Sequence, residues 1–438
     1  MIIDKTNRID GLRLGSLIRK ICYLLISVTL MSSSIALYAR VGLMPLIMLC
    51  ACFICMMICI LSIWASNKMD RIFLSRLVGY SLLIYIFLMI NWFINRLPAS
   101  NGTLSFLLIL LVGILFIHAI REIGEFEEFI NLFITIIILL ATISLLLWVL
   151  GPIGNFINTN STIPNTWNGT GEISGYFYGW FNLLYKTQHQ YISFLNISIW
   201  RNTSIFGEAP AYSLVLNIAL ASELFLLHHD NKSRKRRVRV FILVAACIST
   251  LSTGGIIVSI SCLLLHYSFR PAISDNYKIA RTALILVLVI TTLTVGALLL
   301  DSKLSSTSGS IHLDDYIAGF KAWLISPIWG TGLGSNKILV SQMSSFRIDN
   351  GGMSNTIAYV LASGGVIYFY IWFRPLIAFV FSRDSNLISF GIISIVLFCS
   401  YYFANYIIGV IPLGIGAELA FSKISSRYSP TITIKKLS

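Results

Sequence analysis

Apolar runs of about 17–25 residues recur along the whole chain, the length at which a helix crosses the hydrocarbon core of a bilayer. They are continuous stretches of Leu, Ile, Val and Phe, without the apolar–polar alternation of membrane-barrel strands. Only 11% of the 438 residues are charged, whereas a soluble domain needs roughly a quarter to cover its surface. The sequence therefore predicts an all-α fold, that of a polytopic helical membrane protein.

About twelve such stretches are expected to cross the membrane, with their direction set by positive charge. Lys and Arg cluster in the first 20 residues, at 68–76, at 229–239 and at the C-terminus, which places both termini in the cytoplasm. The stretch 240–269 has Gly254-Gly255 near its middle, so we predict two short antiparallel pieces rather than one tilted helix. The predicted spans are 21–39, 41–65, 77–95, 104–120, 129–151, 210–228, 240–253, 254–269, 282–300, 353–373, 387–403 and 405–421.

This topology places two long polar segments on the outer side of the membrane, and loops of that length are usually functional. The predicted organisation is a cytoplasmic N-terminus (1–20), membrane segments (21–151), a first outer loop (152–209), membrane segments with a basic cytoplasmic loop at 229–239 (210–300), a second outer loop (301–352), membrane segments (353–421) and a cytoplasmic C-terminus (422–438).

The net charge of +14 is accounted for by cytoplasmic Lys and Arg, and no basic soluble module accompanies it. We therefore expect membrane lipid, and no nucleic acid, as a partner. All eight cysteines lie in apolar stretches, including Cys50, Cys52, Cys55 and Cys59, whose spacing imitates a metal site. Thiolates there would lack a charged outer shell, so we interpret them as small apolar residues and expect no metal and no cofactor.

The first outer loop is rich in aromatic residues and ends in an arginine and an acid. Rings such as Trp180 and Tyr185 can stack on sugars, or belong to an interfacial belt or a half-buried helix. Arg201 stands seven residues before Glu208, with Gly207 and Pro210 at the turn into the next span. A guanidinium suits a diphosphate, although at a membrane boundary it can also be a simple anchor. Glu208 is a candidate general base, or the partner that orients Arg201.

The second outer loop repeats this combination before the tenth span. Arg347 and Asp349 stand just ahead of Asn355, so both loops bring an arginine and an acid to the start of a helix. Upstream, Gly330, Gly332 and Gly334 alternate without a strand or a Walker lysine, which indicates a turn that lets the backbone approach a ligand or re-enter the bilayer rather than a nucleotide site. Other polar residues of this loop are His312, Asp315 and Lys321.

These motifs, in this order, resemble the O-antigen polymerase and ligase superfamily, and more specifically its Wzy-type polymerases. The resemblance covers about residues 200–370. The segments that carry it are Arg201 followed by Phe206-Gly207-Glu208-Ala209-Pro210-Ala211-Tyr212-Ser213, then Ser252-Thr253-Gly254-Gly255, then Ser326-Pro327-Ile328-Trp329-Gly330-Thr331-Gly332-Leu333-Gly334, and finally Asn355 with Gly364-Gly365.

The resemblance implies a GT-C-like, metal-independent glycosyltransferase of the bacterial inner membrane, active in lipopolysaccharide biosynthesis. It would transfer a growing glycan from undecaprenyl diphosphate to a new lipid-linked repeat unit, alongside a chain-length regulator and a flippase. Arg201 and Arg347 would neutralise the diphosphate. Glu208, Asp349 or His312 would take the proton from the incoming hydroxyl. The residues expected to contact substrate are Tyr212, His312, Asp315, Lys321, Asn355, Trp180 and Tyr185.

Two departures from the superfamily pattern bear on this expectation. Ligases commonly carry a histidine just before the asparagine, and this chain has Asn350-Gly351-Gly352 there, which favours a polymerase. Polymerases often carry a basic residue near 312–315, where this chain has acids. The rival hypotheses are the ligase that transfers glycan to lipid A core, a lipid-linked oligosaccharide flippase or other transporter, and a non-enzymatic scaffold. The low charge in mid-membrane and the absence of an internal repeat weigh against transport.

Overall fold

The computed structural model describes residues 3–32, 36–65, 70–165, 173–192, 197–228, 234–268, 307–347 and 352–422, with side chains from residue 15. The predicted span 282–300 lies outside the described residues. Within them the α-helices are α1 (Ile3–Ser32), α2 (Met44–Trp64), α3 (Arg71–Asn95), α4 (Asn101–Glu122), α5 (Phe126–Trp148), α6 (Ala209–Phe225), α7 (Arg234–Ser249), α8 (Thr253–Ser268), α9 (Thr307–Ile325), α10 (Lys337–Ser341), α11 (Thr356–Ala378), α12 (Ser385–Ser400) and α13 (Val410–Phe421).

Within the described residues, six helices are long and apolar enough to cross a membrane, namely α1 to α5 and α11. Shorter apolar helices accompany them, including α6, α8 and α12. Large apolar side chains also remain exposed on outward helix faces, among them Ile47, Ile54 and Leu61 of α2. Water would not tolerate such a surface, whereas lipid does. The prediction of a helical, membrane-embedded protein is therefore confirmed.

Contacts between helices define two ends of the bundle. At the upper end, Tyr401 after α12 hydrogen-bonds Ser213 near the start of α6, with 2.9 Å between the hydroxyl oxygens. At the lower end, Arg19 pairs with Glu125 and Arg121 pairs with Glu418, each at 2.6 Å. Since α6 starts at the upper end, the residues that precede it lie above the bundle. The predicted outer loop 152–209 thus meets the helices at this end.

Helices α7 and α8 form an antiparallel hairpin, as the Gly254-Gly255 break predicted. At the lower end, Arg236 of α7 donates to the carbonyl of Glu223 in α6 at 3.2 Å. At the upper end, Asn202 reaches Ser249 at 3.0 Å, so α7 runs upward. Helix α8 runs downward, because Ser259 bonds Asn217 and His266 packs on Phe225, beside α6. The turn between them, residues 250–252, lies at the upper end.

The described part of the first outer loop folds into two small antiparallel sheets. One contains β1 (Ser161–Pro164), β2 (Tyr176–Trp180) and β3 (Leu184–Tyr185), and the other pairs β4 (His189–Ile192) with β5 (Ile197–Trp200). The interpretation of Trp180 and Tyr185 as residues of a half-buried helix was therefore wrong. Aromatic residues, which make up four of the five positions of β2, favour strands.

The segment predicted as the outer loop 301–352 contains the 19-residue helix α9. Its buried positions are small or acidic, such as Asp315, Ala318 and Ala322, while Leu313 and Phe320 are exposed. This apolar-outward pattern suits a helix that faces lipid and packs its small residues on a neighbour. Gly319 indeed lies against Ala358 of α11. The polar residues of this face gave the segment the appearance of a loop.

Gly330 and the pair Gly364-Gly365 allow the backbone at 327–332 to pack against the backbone of α11. Helix α11 is broken at Gly365 (φ 63°), and the chain at 327–332 docks into the break. The N–H of Thr331 donates to the carbonyl of Ala362 at 2.9 Å, and the N–H of Val366 donates to that of Pro327 at 2.9 Å. A Cβ on Gly330 (φ +74°) would lie 2.3 Å from the backbone nitrogen of Gly364. The motif therefore serves packing within the fold.

We predict that Gly330→Ala destabilises the protein by about 2–3 kcal/mol, because the positive φ and the backbone clash both oppose a methyl group. The matched control is Gly79→Ala in α3, where an added Cβ meets nothing within 4 Å. Its expected effect is a stabilisation of about 0.5–1 kcal/mol from helix propensity. Thermal unfolding of both variants in detergent checks this. Equal melting temperatures would contradict the packing role.

Candidate active site

Arg201 is held at the upper end between the first outer loop and the α7–α8 turn. Its backbone N–H donates to the carbonyl of Gln188 at 3.0 Å. Its side-chain Nε donates to the carbonyl of Thr250 at 2.8 Å. The next residue, Asn202, binds Ser249 through both its backbone and its side chain.

Glu208 immediately precedes α6 and occupies its N-cap position, yet its side chain makes no capping hydrogen bond. The first helical amide, that of Ala209, is instead satisfied by Oε1 of Gln188 at 3.0 Å. Pro210 in the first turn has no N–H to satisfy. The Glu208 carboxylate is therefore not used to cap the helix. Gln188 also fixes the spacing of Arg201 and Glu208, since it binds the chain beside both.

Arg40 is a third charged residue of this cluster, and sequence reasoning missed it. It ends the short 3₁₀ helix Leu37–Arg40 between α1 and α2. The N–H of Leu37 donates to the carbonyl of Ile205 at 2.9 Å, and Ala36 forms a β-bridge with Phe206. The connector is thus pinned to the segment that carries Glu208. The available signal was an arginine in a short outer connector, where positive charge is disfavoured.

Burial and charge act in opposite directions on these side chains. Burial raises the pKa of Glu208, while the positive charges of Arg40 and Arg201 oppose the rise. Burial lowers the pKa of Arg201 to about 10, and the negative charge of Glu208 opposes the fall. The mutual effects place Glu208 within electrostatic reach of both arginines. At neutral pH the arginine stays charged, while the carboxylate is a stronger base than an exposed glutamate.

Neither charge is neutralised by direct contact within the described part of the chain. There, the terminal nitrogens of Arg201 and both carboxylate oxygens of Glu208 have no hydrogen bond and no ion pair. Both side chains are half-buried, so their charged ends remain accessible to a bound molecule. A ligand that carries both negative charge and a hydroxyl group would satisfy an arginine and a carboxylate at once.

We predict that Glu208→Gln abolishes activity without lowering the melting temperature at pH 7. A carboxyl whose folded-state pKa exceeds 4.5 stabilises the fold at low pH and loses that contribution as pH rises through the folded value. Replacement by a neutral amide therefore costs no stability near neutrality. For the wild type, the acid limb of the rate–pH profile should lie above pH 4.5. A limb at or below that value would exclude Glu208 as the base.

The second arginine–acid cluster is fully paired. Arg347 is 2% exposed, and its Nη1 lies 2.7 Å from Asp315 and 3.6 Å from Asp314. It also donates to the carbonyls of Ile311 and Gly352. Arg347 was expected to neutralise a diphosphate, but its terminal nitrogens already bind protein acceptors. Asp349 lies outside the described residues.

The remaining residues predicted for the second outer loop are dispersed around α9 and the start of α11. On α9, His312 is half-buried and Lys321 is exposed. Asp315 accepts from the N–H of Ser354 at 2.7 Å. Asn355 caps α11 by accepting from the N–H of Ala358 at 2.9 Å. The two clusters share the upper end, since Thr356 binds the carbonyl of Tyr401, and Tyr401 lies beside Arg201.

Three residues predicted to contact substrate are buried within the protein. Trp180 and Tyr185 are each 1% exposed, and the Tyr185 hydroxyl lies 2.7 Å from that of Tyr38. Tyr212 hydrogen-bonds Ser144 at 2.8 Å and stacks on Phe206. No ring face is open to a sugar, so these residues support the segment 201–208. In the described ranges, no group of three or more His, Cys, Asp or Glu side chains is placed to hold a metal ion.

Comparison with known proteins gives no match, whether with family models, curated proteins or solved structures.

Proposed function

We propose that this protein is a lipid-linked glycan polymerase of the Wzy type, with Arg201 and Glu208 at its centre. The observation that carries the proposal is the half-buried arginine and carboxylate, near each other at the upper end, whose charged ends lack protein partners in the described chain. Charged groups with perturbed pKa values cluster at functional sites. The motif resemblance over residues 200–370 implies an undecaprenyl-diphosphate-linked oligosaccharide as the substrate.

The chemistry of this substrate matches the three charged groups. Glycosyl transfer breaks the anomeric C–O bond to the diphosphate and forms a C–O bond to the acceptor hydroxyl. Arg201, assisted by Arg40, would neutralise the negative charge that develops on the departing diphosphate. Glu208 would accept the proton released by the hydroxyl. These steps require neither a nucleotide nor a metal ion.

The proposed setting is the bacterial inner membrane, crossed about twelve times, with the upper end in the periplasm. The lower end carries Arg19, Arg76, Arg121 and Arg236, as expected of a cytoplasmic face. Both termini would then be cytoplasmic. A flippase that delivers the repeat unit and a chain-length regulator would act in the same pathway.

The experiment is the length-resolved glycan profile of a bacterium that lacks this gene. We expect lipid A core capped with a single repeat, since transport and ligation survive while polymerisation fails. Bare core with long lipid-linked polymer in the membrane would instead identify a ligase. Bare core with single lipid-linked repeats on the cytoplasmic side would identify a flippase. Either of the last two results would overturn the proposal.

A further inference from the structure

Strand β2 presents two tyrosines on a single open face. Tyr176 and Tyr178 are each 58% exposed, whereas Phe177 between them is partly buried. Alternate residues of a strand share a face, with about 7 Å between their Cα atoms. Neither hydroxyl has a hydrogen-bond partner within the described residues. Two large rings exposed side by side offer apolar faces together with hydroxyls that can donate and accept, so the face has the character of a binding surface.

The opposite face of this sheet fixes the direction in which the tyrosines point. Ile163 and Tyr185 pack with Leu37 into a small core, and Phe177 joins them. Leu37 belongs to the connector at the top of α1, so the buried face lies on the helix bundle. The tyrosine face is therefore turned away from that connector.

The tyrosines have neighbours on both sides of β2. Register pairs Tyr178 with Thr162 and Tyr176 with Pro164 on β1. On the other side Lys186 follows β3 and lies opposite Tyr178, with its Nζ over the rings of Trp180 and Trp200 at 5.1 and 5.7 Å. The patch thus consists of two phenol rings, a hydroxyl and a proline ring, with one cation stacked on indole rings at its edge. The C–H faces and hydroxyls of pyranose rings match such a surface, because aromatic faces and phenol hydroxyls complement both.

Hydrogen bonds connect this face to the candidate active site. The N–H of Lys186 donates to the carbonyl of Tyr178 at 2.8 Å. Two residues later, the carbonyl of Gln188 accepts from the N–H of Arg201 at 3.0 Å. With strand neighbours about 4.8 Å apart and a rise of about 3.3 Å per residue, the path from Tyr178 to Arg201 through these bonds is roughly 16 Å long. That distance corresponds to a few sugar residues.

We infer that Tyr176 and Tyr178 form a subsite for the growing glycan, beyond the point of bond formation at Arg201. This inference rests on the proposed function and specifies how the polymer is retained between additions. A chain held on the rings would stay aligned with the site, so loss of the rings should shorten the product. The first addition, which involves a single repeat, would not need the subsite.

The test combines a binding measurement with glycan length. The probe is the polysaccharide of the wild-type strain, released from lipid by mild acid and titrated into the purified protein. Tyr176→Ala/Tyr178→Ala should weaken this binding about tenfold. The same variant in cells should yield ladders of short modal length that still extend beyond one repeat. Tyr176→Trp/Tyr178→Trp should restore both properties, since the aromatic faces are retained.

Phe156→Ala is the matched control, because Phe156 is an exposed aromatic residue (78%) of the same loop outside both sheets. It should leave polysaccharide binding and modal length unchanged. If the tyrosine double-alanine variant binds and polymerises like the wild type, the subsite does not exist. That result leaves the proposed function intact, provided that deletion of the gene still gives single-repeat caps. Normal polymer in the deletion strain would instead overturn the proposed function itself.

Discussion

Arg201→Ala should reduce glycan polymerisation at least 100-fold while the protein remains folded and membrane-inserted. Removal of one donor that stabilises developing negative charge typically costs 10²–10³ in rate, on the order of 3–4 kcal/mol. The guanidinium also anchors the α7–α8 turn through Thr250, so a small loss of stability is expected in addition. Arg201→Lys should keep part of the activity, since it supplies charge without the planar fork of donors.

The control for this variant is Arg96→Gln. Arg96 is an exposed arginine that follows α3 and lies over the ring of Phe93 at 5.0 Å. It carries the same charge at the same end of the bundle but does not contact the cluster around Glu208. Wild-type ladders are expected from Arg96→Gln. Long polymer from correctly inserted Arg201→Ala would show that Arg201 is only an anchor at the membrane boundary.

Arg347→Ala should unfold or severely deplete the protein. The change leaves Asp315 buried and without its cation, which typically costs about 3–5 kcal/mol. That is a large fraction of the free energy of unfolding of a typical protein. Activity would disappear together with folded protein. The measurement is the melting temperature and the membrane abundance of the variant, compared with those of Arg201→Ala.

The double variant Arg347→Met/Asp315→Asn separates structure from catalysis at this cluster. It removes both charges and retains an acceptor for the N–H of Ser354, which now binds Asp315 at 2.7 Å. Most of the lost stability should return, because Asp315 is then neutral and Asp314 keeps the hydrogen bonds from the N–H and the hydroxyl of Ser344. Polymerisation should return with it if Arg347 is structural. A stable double variant without activity would contradict that assignment and restore Arg347 as a candidate catalytic residue.

The sequence was sufficient to predict the features that depend on local composition. Span-length apolar runs located the helices, and the small-residue break at Ser252-Thr253-Gly254-Gly255 indicated the α7–α8 hairpin, although the turn is at 250–252 and both glycines lie in α8. The short spacing between Arg201 and Glu208 placed both residues at the upper end of the bundle. In these cases a few neighbouring residues determine the outcome.

The features that the sequence could not predict depend on contacts between distant segments. Arg201 and Arg347 look alike in the sequence, but only Arg347 is paired with acids, and those acids lie 32 and 33 residues away. Arg40 reaches the site because the α1–α2 connector bonds to the segment at 205–206. Trp180 is of a residue type that stacks on sugars, but it is buried in the loop and exposes no ring face. Periodicity carries no information about such pairings.

The most direct measurement is polymerisation by the purified protein in liposomes. The only substrate is the lipid-linked single repeat unit, supplied in the presence of EDTA and without nucleotide or lipid A core. The account predicts a ladder of lipid-linked oligomers, with one undecaprenyl diphosphate released for each bond, and no ladder from Arg201→Ala or Glu208→Gln. No oligomers from the wild-type protein, together with transfer to added lipid A core, would contradict it.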